Sequence, residues 1–406
     1  MSRRQNQFIT FILEDVYGFV IAFWYFANIM VDNTQLDSLP LLNQGIYHTG
    51  RVAFILLVCI TVARVIRDSS YKRIRLYVVL IIGIISSLSG AHKWMLELAI
   101  LVIGLRGTDC DKILRSAYTG LVAGCVIIIL LGASGVISGN TVTRSGIVRL
   151  SLGFYHPNIL GMRFFQIIAM HLYFQSKKGL RFFDAALAIL MGLFIHLTAN
   201  SRTSTFLMFV LGAAAFAFAM NRKKGAANAV LTAGVIKSVL KWMTMTSFLI
   251  PLFAIFGSLT LGKLPQAVGN ATTLWSRFGQ SRLYFDYYGL SWHGRALMNK
   301  DSANASYNMF TLDNGYMYLL LGFGVLAFSV FVIGELLLVF RAYRSEKWML
   351  LIILILYLLF GMLETSLIRP HCNFFLLLLS EVLWEGSSIK DLNKKEKNLE
   401  YIADRT

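Results

Sequence analysis

Charge is what this chain has least of. Only 15% of its 406 residues are Asp, Glu, Lys or Arg, against about a quarter in an ordinary soluble protein. Acidic residues are the scarcer kind, 21 against 38 Lys and Arg, which leaves a formal net charge of +17. Proline occurs five times, so most helical runs have no proline to break them. The four cysteines show no pairing pattern: Cys59 and Cys125 fall in apolar segments, Cys110 in a basic loop and Cys372 at a helix start. That spacing gives neither a disulfide framework nor a metal-ligand motif.

Apolar residues are abundant, at 56% of the chain with a mean hydropathy of +0.63. Runs of about 20 apolar residues recur along the whole length, each long enough to cross a bilayer. The chain reads as an all-α polytopic membrane protein. Met1-Ser2-Arg3-Arg4 leads into the first run without a small-residue cleavage site, so that run is expected to be a retained anchor. The basic balance does not call for nucleic acid, because Lys and Arg cluster in alternate short loops, as the positive-inside rule expects.

Taken in order, the runs predict about 12 transmembrane helices with both termini inside. Helix 1 covers about 13–31, and loop 32–50 lies outside because it has no Lys or Arg before Arg51. Helix 2 (51–65) returns to a basic loop. Helices 3 and 4 (76–90 and 94–106) form a tight pair turning outside near Gly90-Ala91-His92-Lys93. Helix 5 covers 117–137, and 138–155 is outside, with Arg144 and Arg149. Helices 6, 7 and 8 span 157–175, 182–199 and 203–220, and 225–241 reads as an interfacial segment. Helix 9 (242–260) leads to the longest loop, 261–312, and helices 10, 11 and 12 follow at 313–339, 348–366 and from Pro370 to about Trp384. Residues 1–389 form one membrane domain and 390–406 a charged cytoplasmic tail. Neither an internal repeat nor the paired broken helices of many transporters is evident.

The polar residues gather where inward-running helices begin. His156-Pro157-Asn158, Ser201-Arg202-Thr203, Asp313-Asn314-Gly315 and Arg369-Pro370-His371 open four successive such helices. Each is an ordinary capping sequence when taken alone. Four on one side, three of them with Arg or His, place helix N-termini and cationic groups where an anion would bind. Arg163 lies two turns beyond His156, about 10 Å deeper at 1.5 Å per residue. An arginine at that depth must either snorkel back to the headgroups or find a partner.

Loop 261–312 is the other informative stretch. Trp275-Ser276-Arg277-Phe278-Gly279-Gln280-Ser281-Arg282-Leu283-Tyr284 interleaves two arginines with aromatics, and Tyr287, Tyr288, Trp292, His293 and Arg295 follow. Outward arginines break the positive-inside pattern. Arginine binds phosphate oxygens bidentately, and aromatic faces suit sugar rings as well as a membrane interface. Glu364, Asp286 and Asp313 are candidate proton acceptors or partners for these arginines, whereas Glu335 and Glu381 read as structural. Asn270-Ala271-Thr272 and Asn304-Ala305-Ser306 match a glycosylation sequon, a short and frequent pattern.

In Gly153-Phe154-Tyr155-His156-Pro157-Asn158-Ile159-Leu160-Gly161, Asn200-Ser201-Arg202-Thr203-Ser204 and Asp313-Asn314-Gly315-Tyr316, with Gly322 and Gly324 following, the chain resembles the O-antigen polymerase and ligase superfamily. The closer likeness is to Wzy-type polymerases of capsule or exopolysaccharide clusters. The resemblance implies a GT-C-like fold with a large extracytoplasmic loop between helices 9 and 10. It implies an undecaprenyl-diphosphate-linked oligosaccharide as both donor and acceptor, without metal, nucleotide sugar or other cofactor, in a bacterial cytoplasmic membrane. Other implied partners are a chain-length regulator and a flippase of the same pathway.

By this resemblance His156, Arg202, Arg277 and Arg282 are the catalytic candidates. Asn158, Arg163, Trp275, Tyr284, Trp292, His293, Arg295, Asp313, Asn314 and Arg369 are expected to bind substrate. A good leaving group such as diphosphate asks chiefly for stabilisation of developing negative charge. A general base would add to the rate; His156 and His293 are open alternatives for it. Two rival readings stand beside the polymerase: a ligase that delivers the glycan to another acceptor, and a lipid-linked oligosaccharide flippase, which should carry charge near the bilayer midplane.

Overall fold

The computed structural model describes residues 3–67, 74–89, 93–106, 108–144, 146–223, 226–263, 274–297 and 312–384. Both sequons, the Gly90-Ala91-His92 turn, residues 264–273 and 298–311 of loop 261–312 and the 390–406 tail lie outside the described residues.

Helices dominate. In chain order they are α1 (Arg3–Val31), α2 (Pro40–Arg67), α3 (Ile74–Leu88), α4 (Trp94–Gly104), α5 (Cys110–Ala133), α6 (Pro157–Ser176), α7 (Phe182–Thr198), α8 (Arg202–Lys223), α9 (Ala226–Thr246), α10 (Leu249–Thr260) and α11 (Leu274–Tyr288). A helix of 30 residues follows, α12 (Gly315–Arg344), then α13 (Trp348–Gly361) and the short α14 (Leu379–Leu383). The one sheet among the described residues is a hairpin of β1 (Thr141–Arg144) and β2 (Ile147–Leu150), with Val142 opposite Arg149.

The expected helical membrane architecture is present, but about 12 spans are not evident among the described residues, which also hold six shorter apolar helices of 10–17 residues. Among the described residues four helices are long and apolar enough to cross a membrane (Pro40–Ile66, Cys110–Ala133, Arg202–Asn221 and Gly315–Arg344), or five if the bent pair Gly234–Thr246 and Leu249–Lys263 is one span. Two of the expected helices are apolar runs that continue through bends. The run 348–366 leaves the α-helix at Gly361 and closes in a 3-10 turn, Thr365–Ile368. The helix expected from Pro370 is a set of turns, a 3-10 segment (Phe374–Leu378) and α14. Helix α6 has 20 residues but carries Asn158, Arg163, Gln166 and His171. Two other boundaries also move: α2 begins at Pro40, inside the expected loop 32–50, and residues 274–288 of the expected loop are helical.

The outward surface is apolar. Phe19, Leu41, Ile66, Leu88, Phe183, Leu197, Trp242 and Phe256 are exposed, Leu41 by 88%. A monomer in water rarely shows so much contiguous apolar area, and lipid is the solvent in which it carries no penalty. The chain is a helical protein with several helices suited to a membrane.

The helix ends segregate into two sets. At one end Lys112 pairs with Asp15, Lys177 with Asp111, and Arg341 and Lys347 with Glu381. Arg64 there donates to the Gly104 carbonyl at 2.6 Å, and Arg106 sits over the Trp384 ring. The opposite end holds the end of α1, the β-hairpin, the starts of α6, α8 and α12, and the segment after α13. Most of the predicted site residues are there. A cavity of about 370 Å³ lies at the first end, lined by Tyr173, Lys177, Leu180, Phe218, Lys347 and Trp348, among others, and takes no part in the site.

Candidate functional site

The segment linking α1 to α2 is zipped onto the approach to α6. Thr34 forms a β-bridge with Phe154, Gln35 N–H donates to Gly153 O at 2.8 Å, and Tyr155 N–H donates to Asn33 O at 3.0 Å. Gly153 has φ +88° and lies against the α5 backbone, a conformation that strains any residue with a Cβ. These bonds hold Asp32, one residue past α1, beside the first turns of α6.

Three cationic side chains converge on Asp32. Arg163 Nη2 is 3.3 Å from Oδ2, Arg369 Nη1 is 3.4 Å from Oδ1, and His371 Nε2 is 3.1 Å from Oδ2. Arg163 is wholly buried, so it has found a partner rather than snorkelled to the surface. Its Nη1 also donates to Gln166 Oε1 at 3.2 Å and to the His371 carbonyl at 3.3 Å. Gln166 Nε2 donates to Cys372 O at 2.6 Å, which fixes the 371–372 turn to α6. Arg369 lies 4.3 Å above the Trp94 ring, a cation–π contact.

Burial opposes ionisation of Asp32, but His371, Arg369 and Arg163 outweigh it and hold the carboxyl well below its usual range. Burial likewise opposes the charged imidazole, and Cys372 with Asp32 outweighs it, carrying His371 up to about 9. The donor capacity of the cations is not used up. Arg163 Nε and Arg369 Nε are buried without a hydrogen-bond partner. Asp32, His371 and Cys372 offer ligand atoms within 4.8 Å of one another. Arg163, 3.6 Å from Cys372 Sγ and bonded to Asp32 Oδ2, already places a cation among those atoms.

A second charged group lies five residues earlier in the chain. Arg277, on α11, donates to the Leu363 carbonyl and lies 3.6 Å from Glu364 Oε1 and 4.0 Å from Asp313 Oδ2. Glu364 is pushed up to about 7 by burial and by the neighbouring Asp313 charge, against the pull of Arg277 and Arg369. Burial also raises Asp313, opposed by Arg277. Thr365, next to Glu364, accepts from Arg369 Nη2 at 3.5 Å. Residues 363–373 therefore carry one polar array that runs from Asp313 and Arg277 through Glu364 and Arg369 to Asp32, His371 and Arg163.

The remaining predicted residues are distributed around this array. His156 caps α6, its Nδ1 accepting from Asn158 N–H at 3.1 Å. Asn158 Oδ1 accepts from Arg149 Nη2 at 2.7 Å, while Arg149 Nε donates to Ala199 O at 2.8 Å. Buried Arg149 thus ties the first motif to the Asn200-Ser201-Arg202 motif. A Cβ on Gly161 would meet Ser201 Cβ and Oγ at 2.7 Å, so α6 and α8 touch there. Arg202 is exposed at the first residue of α8.

Arg282 is bound to Asp286, at 2.5 Å, and to the Leu259 carbonyl at 3.1 Å. Arg277 and Arg282 share no hydrogen-bond or ion-pair partner among the described residues, and the cations gathered on Asp32 are Arg163, Arg369 and His371. Asn314 is fully buried: it caps Tyr316 and Met317 and donates to Ala254 O and Ser258 Oγ, each at 3.1 Å. Tyr284 is buried against Tyr288, while Trp275 and Trp292 are exposed.

Residues 291–295 perform a structural task. Helix α12 is broken by a π turn at Leu319–Phe323 and by Gly324 at φ +89°. The amides freed by the break at Val325 and Leu326 donate to Ser291 O at 2.9 Å and Trp292 O at 3.3 Å. Arg295 N–H returns the bond to Gly322 O at 3.0 Å, and His293 O accepts from Ser89 Oγ at 2.8 Å.

Asp32 and Arg149 are members of this constellation that reading the sequence did not select, and His371 was marked only as part of the Arg369-Pro370-His371 helix start. An acidic residue one position past α1, the histidine beside Arg369, and an arginine in the hairpin ahead of α6 were the signals for them. No protein-family model and no curated protein matches this chain.

Proposed function

We propose that this chain is a membrane glycosyltransferase of the polysaccharide-polymerase kind, acting in the bacterial cytoplasmic membrane with its charged 363–373 array facing away from the cytoplasm. It transfers a growing glycan from undecaprenyl diphosphate to a hydroxyl of the next lipid-linked repeat unit. One observation carries the reading: Arg163, Arg369 and His371 meet around a single carboxylate, and both arginines keep a buried Nε without a hydrogen-bond partner.

A diphosphate offers those cations the same charge-assisted bonds that Asp32 offers now. Charge building on the leaving phosphate is the main quantity such a transfer must stabilise. Arg202, exposed beside the start of α6, is placed to meet the lipid-linked substrate as well. The polymerase and ligase readings differ only in the acceptor, and the resemblance of the motifs favours the polymerase.

Purified protein incubated with undecaprenyl-diphosphate-linked repeat units is expected to give a ladder of lengthening glycans. Arg369→Ala is expected to remove long chains in a complemented deletion strain while single repeats persist. A wild-type preparation that binds the substrate and makes no ladder would overturn the reading. The flippase reading has one observation in its favour: Glu335 is buried within α12, accepting from Asn373 at 3.4 Å, and intramembrane acids often serve transport.

A further inference from the structure

We infer that Glu364, held beside Asp313 by Arg277, takes the proton from the attacking sugar hydroxyl; the inference rests on the glycosyl-transfer reading. A general base needs an accessible lone pair and a proton affinity matched to neutral pH. The acids and histidines around the array meet these requirements unequally.

Asp32 is clamped by three cations and kept ionised, which makes it a weak base. Asp286 is exposed and committed to Arg282. His156 already spends Nδ1 on the Asn158 amide, and His293 lies on the exposed segment that caps the second half of α12. Glu364 differs from all of these. Its side chain is 25% exposed, that of Asp313 is 36%, and the two carboxylates face one guanidinium at 3.6 and 4.0 Å.

Two carboxylates with one cation between them cannot both ionise as readily as isolated acids. The charges facing Glu364 are Asp313 from the approach to α12, Arg277 from α11 and Arg369 from its own segment. Tyr284 of α11 faces Asp313, and Asp32 balances Arg369 from the α1–α2 link. This environment leaves Glu364 near neutrality, where a carboxylate can both take and release a proton.

In the step itself, the acceptor O–H gives its proton to a Glu364 carboxylate oxygen. The freed electron pair forms the new bond to the anomeric carbon, and the bond from that carbon to the diphosphate oxygen breaks. Undecaprenyl diphosphate leaves with that bonding pair, and the proton passes from Glu364 to water. Arg369 lies five residues along the same segment, so base and phosphate-holding groups share one short piece of chain.

The test uses the full-length purified protein and lipid-linked repeat units, with elongation rate followed against pH and donor binding measured separately. Glu364→Gln keeps an oxygen for Arg277 and is expected to lower kcat by about 10²–10⁴-fold with donor affinity unchanged. Asp313→Asn removes the like charge and is expected to move the acidic limb of the pH–rate profile to lower pH. Glu364→Asp is expected to recover part of the rate. A Glu364→Gln protein that elongates at the wild-type rate, or one that loses rate only through donor binding, overturns the assignment while the polymerase reading stands. A wild-type protein that binds donor and never elongates overturns both.

Discussion

Arg163 and Asp32 stand 131 positions apart in the chain and meet with 3.3 Å between Nη2 and Oδ2. The arginine is completely buried, and the carboxylate is its link to the partly exposed rim of the site. A buried charge left without its counterion typically costs about 3–5 kcal/mol. Asp32→Asn strands Arg163 and His371 together, so thermal unfolding in detergent is expected to show a loss of that size. The double variant Asp32→Asn, Arg163→Met is expected to recover part of it, because the wholly buried guanidinium is gone, while His371 can shed its proton and Arg369 is partly exposed. Additive losses in the two single variants would mean that the residues do not stabilise each other.

The contact also explains which features were legible in the sequence. That Arg163 needed a partner follows from its place two turns inside an apolar helix, but Asp32 as that partner does not. The pairing depends on the Thr34–Phe154 bridge, a backbone contact with no side-chain pattern of its own. Helix starts at Pro157, Arg202 and Gly315 were readable because capping residues mark them locally. The ends of the last two expected spans were not, because apolar composition alone does not distinguish α-helix from the turns and 3-10 segments at 362–378. That Glu364, Asp286 and Asp313 could pair with Arg277 and Arg282 was readable from composition, and the fold realises it, with Arg277 beside Glu364 and Asp313 and Arg282 bound to Asp286. Asp313 and Glu364 reach Arg277 only through tertiary packing.

The same cluster sets a dependence of stability on pH. His371 rises to about 9 when folded from an ordinary value near 6.5. Its contribution is therefore complete below about 6.5 and is lost as pH climbs through about 9. Asp32 is depressed, so its contribution is present above about 3.9 and is lost as pH falls below that. The melting temperature is expected to fall progressively between about pH 6.5 and 9, and Asp32→Asn is expected to flatten that decline. An unchanged slope in the variant would disconnect His371 from Asp32.

Gly294 and Gly324 face each other backbone to backbone. A Cβ on Gly294 would lie 2.3 Å from Gly322 O, and one on Gly324 would lie 2.4 Å from Gly294 N, with φ +85° and +89° at the two residues. Alanine at either position meets both a strained conformation, about 1–3 kcal/mol, and a backbone overlap that no side-chain rotation relieves. Both variants are expected to release the Ser291–Arg295 cap and increase protease cleavage around it. Gly135→Ala is the control, since Gly135 has φ +75° but no neighbouring atom within 4 Å. Equal sensitivity in all three would make the conformation alone responsible.

Glu335 separates the enzyme from the transporter. Its carboxylate is buried in the second half of α12, accepts one bond from Asn373 Nδ2 through Oε1, and leaves Oε2 without a partner. In a glycosyltransferase whose chemistry lies on residues 363–373, this acid secures α12 to the last residue of that segment, Asn373, and takes no part in the reaction. Glu335→Gln retains an oxygen of the same shape for Asn373, so elongation by the purified variant is expected to stay within about twofold of wild type, a free-energy change below about 0.5 kcal/mol. A proton- or ion-coupled flippase would need the charge to appear and disappear during its cycle. The same substitution would then stop translocation of a fluorescent lipid-linked oligosaccharide in proteoliposomes. Lost translocation together with no elongation by either protein would assign the chain to transport, because only a transport cycle uses the ionisation of that one buried carboxyl.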